Sequence, residues 1–165
     1  MDTNKQMTES ELRKEIISFL KQNESGSLAT YGNDQPRCSP VKYFIGEGTD
    51  TYILSAGGDK FMAIEQNPNV CLLVNTEYVD YRKIKGVQIF GVAKTSLANP
   101  RLKDEAYKKC PNPEEFHKEG EFLGVIKIIP EEIVYLDSLK TGDRTKQILK
   151  DNQVTFKLED RVLIY

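Results

Sequence analysis

The stretch from Gly57 to Asn69, Gly-Gly-Asp-Lys-Phe-Met-Ala-Ile-Glu-Gln-Asn-Pro-Asn, constrains the fold more than any other, because it dictates a turn, a helix and a stop in quick succession. It leaves the β-prone run Thr51-Tyr52-Ile53-Leu54-Ser55 through a glycine pair that takes positive φ at little steric cost. Asp59 is the expected cap of a short helix. Pro68 ends that helix by biasing Asn67 away from the α region, and Val70-Cys71-Leu72-Leu73-Val74 resumes as a buried strand. The turn has the makings of an anion site. First-turn amides and the helix dipole favour negative charge, and Lys60 adds a cation beside them. An ordinary capped surface helix has the same local sequence, so both readings stand on this segment alone.

The rest of the chain supplies short strands and peripheral helices. Thr8 with Glu11 forms a candidate capping box, and Leu12, Ile16, Phe19 and Leu20 recur at helical spacing, giving a helix from Thr8 to Asn23. Ser27 to Tyr31 and Pro36 to Ile45 read as a hairpin about Gly32-Asn33-Asp34. Further strands are expected at Thr51 to Ser55, Val70 to Asn75, Gly86 to Lys94 and Gly124 to Ile129, with another extended piece from Ile133 to Leu136 after Pro130. Asn99 and Pro100 open a helix running to Lys109, and Asn112-Pro113 a shorter one containing Phe116. In the tail, Asp143 to Leu149 reads as a helical turn. Val154 to Leu158 and Arg161 to Tyr165 read as a hairpin about Glu159-Asp160. The class expected is mainly β with peripheral helices (α+β), an antiparallel barrel. The length of 165 residues suits one domain, 1–165, with 138–165 as a C-terminal extension whose role the sequence leaves open.

Charge and cysteine content narrow the functional classes. The formal net charge is -2 with acids and bases interspersed, so neither a nucleic-acid face nor a polybasic membrane patch is expected. Cys38, Cys71 and Cys110 fit neither a disulfide framework nor a zinc site. Cys71 reads as a small buried hydrophobe, and the set suits a reducing cytoplasm. The polar start has no signal-peptide core, and no segment has the length of a membrane span. The expected compartment is the cytoplasm.

Candidate chemistry lies between Arg37 and Lys42. Strict alternation places these two on opposite faces of one strand, a conflict that a bulge at Pro40 would relax. Cys38-Ser39-Pro40-Val41 between them offers backbone groups to a flat heteroaromatic ring; a plain exposed hairpin arm is the alternative. His117, the single histidine, lies in a charged segment and has no triad or metal partner in the sequence. Glu114-Glu115 and Glu131-Glu132 read as caps and solvated charge rather than an acid/base pair. Tyr78, Tyr81 and Arg82 suit either a ligand-facing loop or a subunit contact.

Taken in order, these pieces resemble the pyridoxamine 5'-phosphate oxidase-like family, the flavin-binding split β-barrels. The resemblance runs from about Glu11 to Asp137. It rests on the opening helix, Ser27-Leu28-Ala29-Thr30, Pro36-Arg37-Cys38-Ser39-Pro40-Val41-Lys42-Tyr43, Tyr52-Ile53-Leu54-Ser55 to Lys60, Asn67-Pro68-Asn69-Val70, and Val87-Gln88-Ile89-Phe90-Gly91-Val92-Ala93. It implies a split barrel that binds FMN in a groove between the two barrels of a homodimer. Arg37 to Lys42 would lie along the flavin ring, Ser55 and Lys60 at the phosphate, and Gln88 on the strand that commonly supplies a glutamine. The implied activity is an FMN-dependent oxidoreductase passing hydride or electrons between an electron donor and a small-molecule substrate. A non-catalytic flavin or haem carrier or sensor, and a deazaflavin-dependent reductase, belong to the same fold and remain open. Asp59 stands where the oxidase itself has arginine, and the chain has no tryptophan where the oxidase's C-terminal segment carries one. Vitamin B6 oxidation is therefore not implied.

Overall fold

The computed structural model describes residues 5–119 and 123–158. Helix α1 (Glu9–Gln22) begins with the expected capping box: Thr8 Oγ1 accepts from the Glu11 amide at 3.2 Å, and the Thr8 amide donates to Glu11 Oε2 at 2.9 Å. Its buried stripe is Leu12, Ile16, Phe19 and Leu20. Strands β1 (Ser25–Gly32) and β2 (Gln35–Ile45) form a hairpin whose two turn residues, Asn33 and Asp34, have φ of 52° and 55°. That left-handed pair matches the twist of the flanking strands. There follow β3 (Thr51–Ser55), α2 (Asp59–Gln66), β4 (Asn69–Asn75), β5 (Lys85–Thr95), α3 (Leu102–Lys109), α4 (Glu115–Glu119), β6 (Gly124–Asp137), β7 (Lys146–Lys150) and β8 (Gln153–Lys157).

All strand pairings are antiparallel, in the order β3-β2-β1-β4-β5-β6-β7-β8, and a further β3–β6 pairing closes the first six strands into a ring. Strand β6 splits it. One edge of β6 follows β5 from Ile126 to Asp137, whereas the other pairs with β3 over Gly124 to Ile128 and with β7 over Glu132 to Leu136. Pro130 sits where β6 changes partner, and its missing N–H costs nothing there. The separate strands expected on either side of Pro130 are thus one strand. Gly91 lies opposite Pro130 at a register shift; a Cβ on it would run into the Ile129 carbonyl oxygen and come within 3.0 Å of Pro130 Cα.

Inward residues of the ring, among them Leu28, Val41, Tyr43, Ile53, Leu72, Val87, Ile89, Ile126 and Ile128, form the core with the α1 stripe. Tyr43 Oη donates to the Leu20 carbonyl at 2.7 Å and fixes the end of α1. Helix α3 is held by Glu105, which accepts from Tyr52 Oη at 2.5 Å and pairs with Lys127 at 2.5 Å. Those bonds hold the Glu105 carboxyl below the usual carboxylate range.

The tail differs from expectation. Asp143 to Leu149 is not helical: Lys146–Lys150 is β7, and its hairpin with β8 turns at Asp151 and Asn152, whose φ values are 53° and 59°. Residues Glu159-Asp160 and Arg161 to Tyr165 lie outside the described residues. Cys71 also differs, being half-buried and pointing outward, because Val70, Leu72 and Val74 take the inward positions of β4. No helix among the described residues is long and apolar enough to cross a membrane.

Candidate functional site

Strand β2 pairs with β1 along its length but meets β3 only from Lys42 to Ile45. The edge of Gln35 to Val41 facing away from β1 therefore has no strand partner among the described residues. The β1–β2 register runs unbroken from Ser25–Lys42 to Gly32–Gln35. The bulge expected at Pro40 is absent, so Arg37, Ser39 and Val41 share one face while Cys38, Pro40 and Lys42 share the other. A cleft of about 250 Å³ joins Pro40, Val41 and Lys42 to Ser55, Ala56 and Leu123. Four of the sequence-predicted residues are thus brought together in one cavity.

The chain then enters the glycine turn. Ser55 Oγ donates to the Gly57 carbonyl at 3.0 Å and accepts from its amide at 3.4 Å. Gly57 and Gly58 have φ of 129° and 115°, where a side chain is strained, and a Cβ on Gly58 would meet Lys60 Nζ at 3.1 Å. Gly58, not Asp59, is the cap of α2, and no side chain caps the helix. Asp59 is the first helical residue. Its carboxylate pairs with Arg37 at 3.1 Å, an ion pair invisible in the sequence because it joins β2 to α2 across the fold. Lys60 Nζ donates to the Gly57 carbonyl at 2.7 Å and holds the turn closed on itself. Arg37 and Lys60 therefore flank an uncapped helix start with open space beside Gly57, an arrangement suited to an oxyanion.

A second cleft, also about 250 Å³, opens beyond Leu123 and is lined by Gly57, Gly58, Phe61, Met62, Leu97 and Lys103. Sequence reasoning missed it, since Leu97 and Leu123 reach it only through tertiary folding. Gln88 stands apart from both clefts. It lies on β5 between Leu73 and Val134 and faces outward, because Val87 and Ile89 point into the core. Cys38 and Cys71 flank Ala29 on that same outer face; burial, with a smaller contribution from Cys38, pushes the Cys71 thiol up, so it is not a ready nucleophile at neutral pH. His117 is exposed on α4, its ring edge-on to Tyr107 at 6.2 Å. Tyr78 and Tyr81 are exposed on the β4–β5 connection, away from both clefts.

An antiparallel sheet closed into a ring by β3 and β6 and split at β6, with a glycine turn beside an open strand edge, defines the class of split β-barrels. The chain belongs to the pyridoxamine 5'-phosphate oxidase family, whose profile matches residues 12–137, ending with the last residue of β6. Among solved structures it is similar to general stress protein 26 from Bacillus anthracis, with 24% identity over 75% of this chain and 92% of that one and a TM-score of 0.54. It is also similar to a FAD-binding protein from Mesorhizobium loti, at 22% identity, 73% and 90% coverage and a TM-score of 0.55. A heme binding protein from Mycobacterium smegmatis shares the fold at 12% identity, 88% and 57% coverage and a TM-score of 0.59. A search of curated proteins gave no match.

Proposed function

We propose that the chain is a flavin-dependent oxidoreductase that holds an FMN unit, with the ring along Arg37, Cys38, Ser39, Pro40, Val41 and Lys42 and the phosphate at Ser55 and Lys60. The observation that carries this reading is the continuity of the site: the open edge of β2, the cleft at Ser55 and the uncapped turn ending at Lys60 follow one another without a break. The flavin, when bound, supplies the hydride and electron chemistry. The protein's own groups orient the ring, hydrogen-bond its edge through the β2 backbone and hold the phosphate, which is why no paired acid and base are needed. An electron donor and a small-molecule substrate would meet the exposed ring. Haem is less well served, because the chain's one histidine lies on the surface of α4 rather than in either cleft.

The test is the visible spectrum of the purified protein, followed by FMN titration if it is colourless. Lys60→Ala should weaken FMN at least tenfold, on the order expected for removing a charge-assisted phosphate contact, while changing riboflavin affinity little. An unchanged FMN affinity would remove Lys60 from the site, and a wild type that binds no flavin would end the reading.

A further inference from the structure

We propose that the glycine turn is a two-state latch, closed in this structure and opened by rotation of the Gly57–Gly58 peptide when an oxyanion arrives; this rests on the phosphate position in the flavin reading above. Ser55 Oγ and Lys60 Nζ, the two groups assigned to the phosphate, both donate to one backbone atom, the Gly57 carbonyl oxygen, at 3.0 and 2.7 Å. That oxygen carries partial negative charge and sits where the two donors converge. It is an internal stand-in for an anion, and an oxyanion held by the same two groups has to displace it. Arg37 is engaged in the same way, by the Asp59 carboxylate at 3.1 Å. Both cations at the turn are thus held by acceptors that the turn itself provides.

The backbone is built to leave this state. Gly58 has φ 115° and ψ 172°, a region essentially closed to any residue with a side chain. The peptide group is rigid, so turning the Gly57–Gly58 plane over changes only ψ of Gly57 and φ of Gly58. Gly58 then reaches φ of roughly −65° with ψ unchanged, extended backbone of the kind a helix cap ordinarily adopts. The same rotation swings the Gly57 carbonyl away from Ser55 and Lys60 and turns the Gly58 N–H toward them, so that three donors face one anion. Open space beside Gly57 gives it room. The bond from the Phe61 amide to the Gly58 carbonyl, 3.3 Å long, belongs to the next peptide and survives. The open form accepts any residue at position 58, whereas the closed form requires glycine. Gly57 keeps its φ of 129° throughout, so the two glycines play different parts. Closure lowers the affinity of every anion by the fraction of molecules that are open, a loss that a ligand with further contacts along β2 can offset and free phosphate cannot.

The experiment titrates the full chain with inorganic phosphate, FMN and riboflavin, following backbone amides by NMR and the flavins by fluorescence. Phosphate and FMN should each move the Gly58 amide resonance more than that of any other glycine. Gly58→Ala penalises the closed form alone and should tighten phosphate and FMN about tenfold, the scale of one strained backbone conformation relieved, with riboflavin unchanged. Gly57→Ala is strained in both forms and should tighten neither. Melting curves show whether the variants fold, and the wild-type amide shifts are a test independent of them. Gly58→Ala weakening FMN as Gly57→Ala does, or leaving it unchanged, means that the closed turn is the binding conformation and overturns the latch. A Gly58 amide that stays still as FMN binds overturns it too, and in both cases the flavin reading stands. Phosphate binding with the expected shift but no affinity for any flavin keeps the latch and ends the flavin reading. If neither phosphate nor flavin binds, both fall.

Discussion

Thr30 shows how little of this site is fixed by local sequence. It lies on β1 directly across from Arg37, is 4% exposed, and its Oγ1 has no hydrogen-bond partner among the described residues. A buried hydroxyl left unpaired costs on the order of 1–3 kcal/mol, and valine keeps the shape and the β preference without that cost. Thr30→Val is therefore expected to stabilise the protein by about 1 kcal/mol. The measurement is the urea midpoint at unchanged m-value, and a lowered midpoint would mean that the hydroxyl is satisfied. Asp59 is the contrasting residue. Its sequence position suggested a cap, yet Gly58 occupies that place and frees the carboxylate to reach Arg37.

At the scale of elements, β6 decides the architecture. It carries the ring on one half and the β7–β8 hairpin on the other, and the crossing from one to the other requires β5 to approach it closely at Gly91. Gly91→Ala should cost about 3 kcal/mol, since the obstructing atoms are backbone and cannot rotate away. A thermal scan would reveal it, and an unchanged Tm would mean that β5 and β6 can separate locally without loss. These elements also show what was legible in advance. The α1 capping box, the β1–β2 hairpin, Thr51 to Ser55 and the short helix after the glycine pair each follow from a local rule of period, cap or turn, and each is present. Continuity of β6 through Pro130 was hidden, because local chemistry reads proline as a break and only the change of partner strand makes it tolerable. Strand β7 was hidden likewise: Lys146 to Lys150 buries one polar residue, Gln147, with Leu149 and leaves Ile148 half-exposed, so no apolar alternation marks it as a strand. The glycine turn was legible, while its pairing with β2 and the Met62–Leu97 cleft depended on contacts distant in sequence.

The whole molecule leaves an outer sheet face that one copy does not cover. Across β2, β1, β4 and β5 the register aligns Pro40, Ser27, Leu73 and Gln88 in one row and Cys38, Ala29, Cys71 and Phe90 in the next. Tyr31 and Phe90 on this face are 44% and 39% exposed. Gln88 points out of this face and lines neither cleft of its own chain, so a second copy packed on this face would bring its own flavin within reach of it. We therefore propose that the functional unit is a homodimer, with the outer sheet of each copy against the other and Gln88 contributed in trans. Light scattering should give twice the chain mass. Phe90→Glu should yield a folded monomer, since a buried unpaired carboxylate at an interface centre is strongly disfavoured while the same side chain in a free copy stays in water. That monomer should bind flavin at least tenfold more weakly than wild type. Gln88→Ala should weaken the ring contribution without changing the mass. A strictly monomeric wild type with full flavin affinity would confine the site to the clefts of one chain, and an unaffected Gln88→Ala dimer would leave the outer face as a contact surface alone.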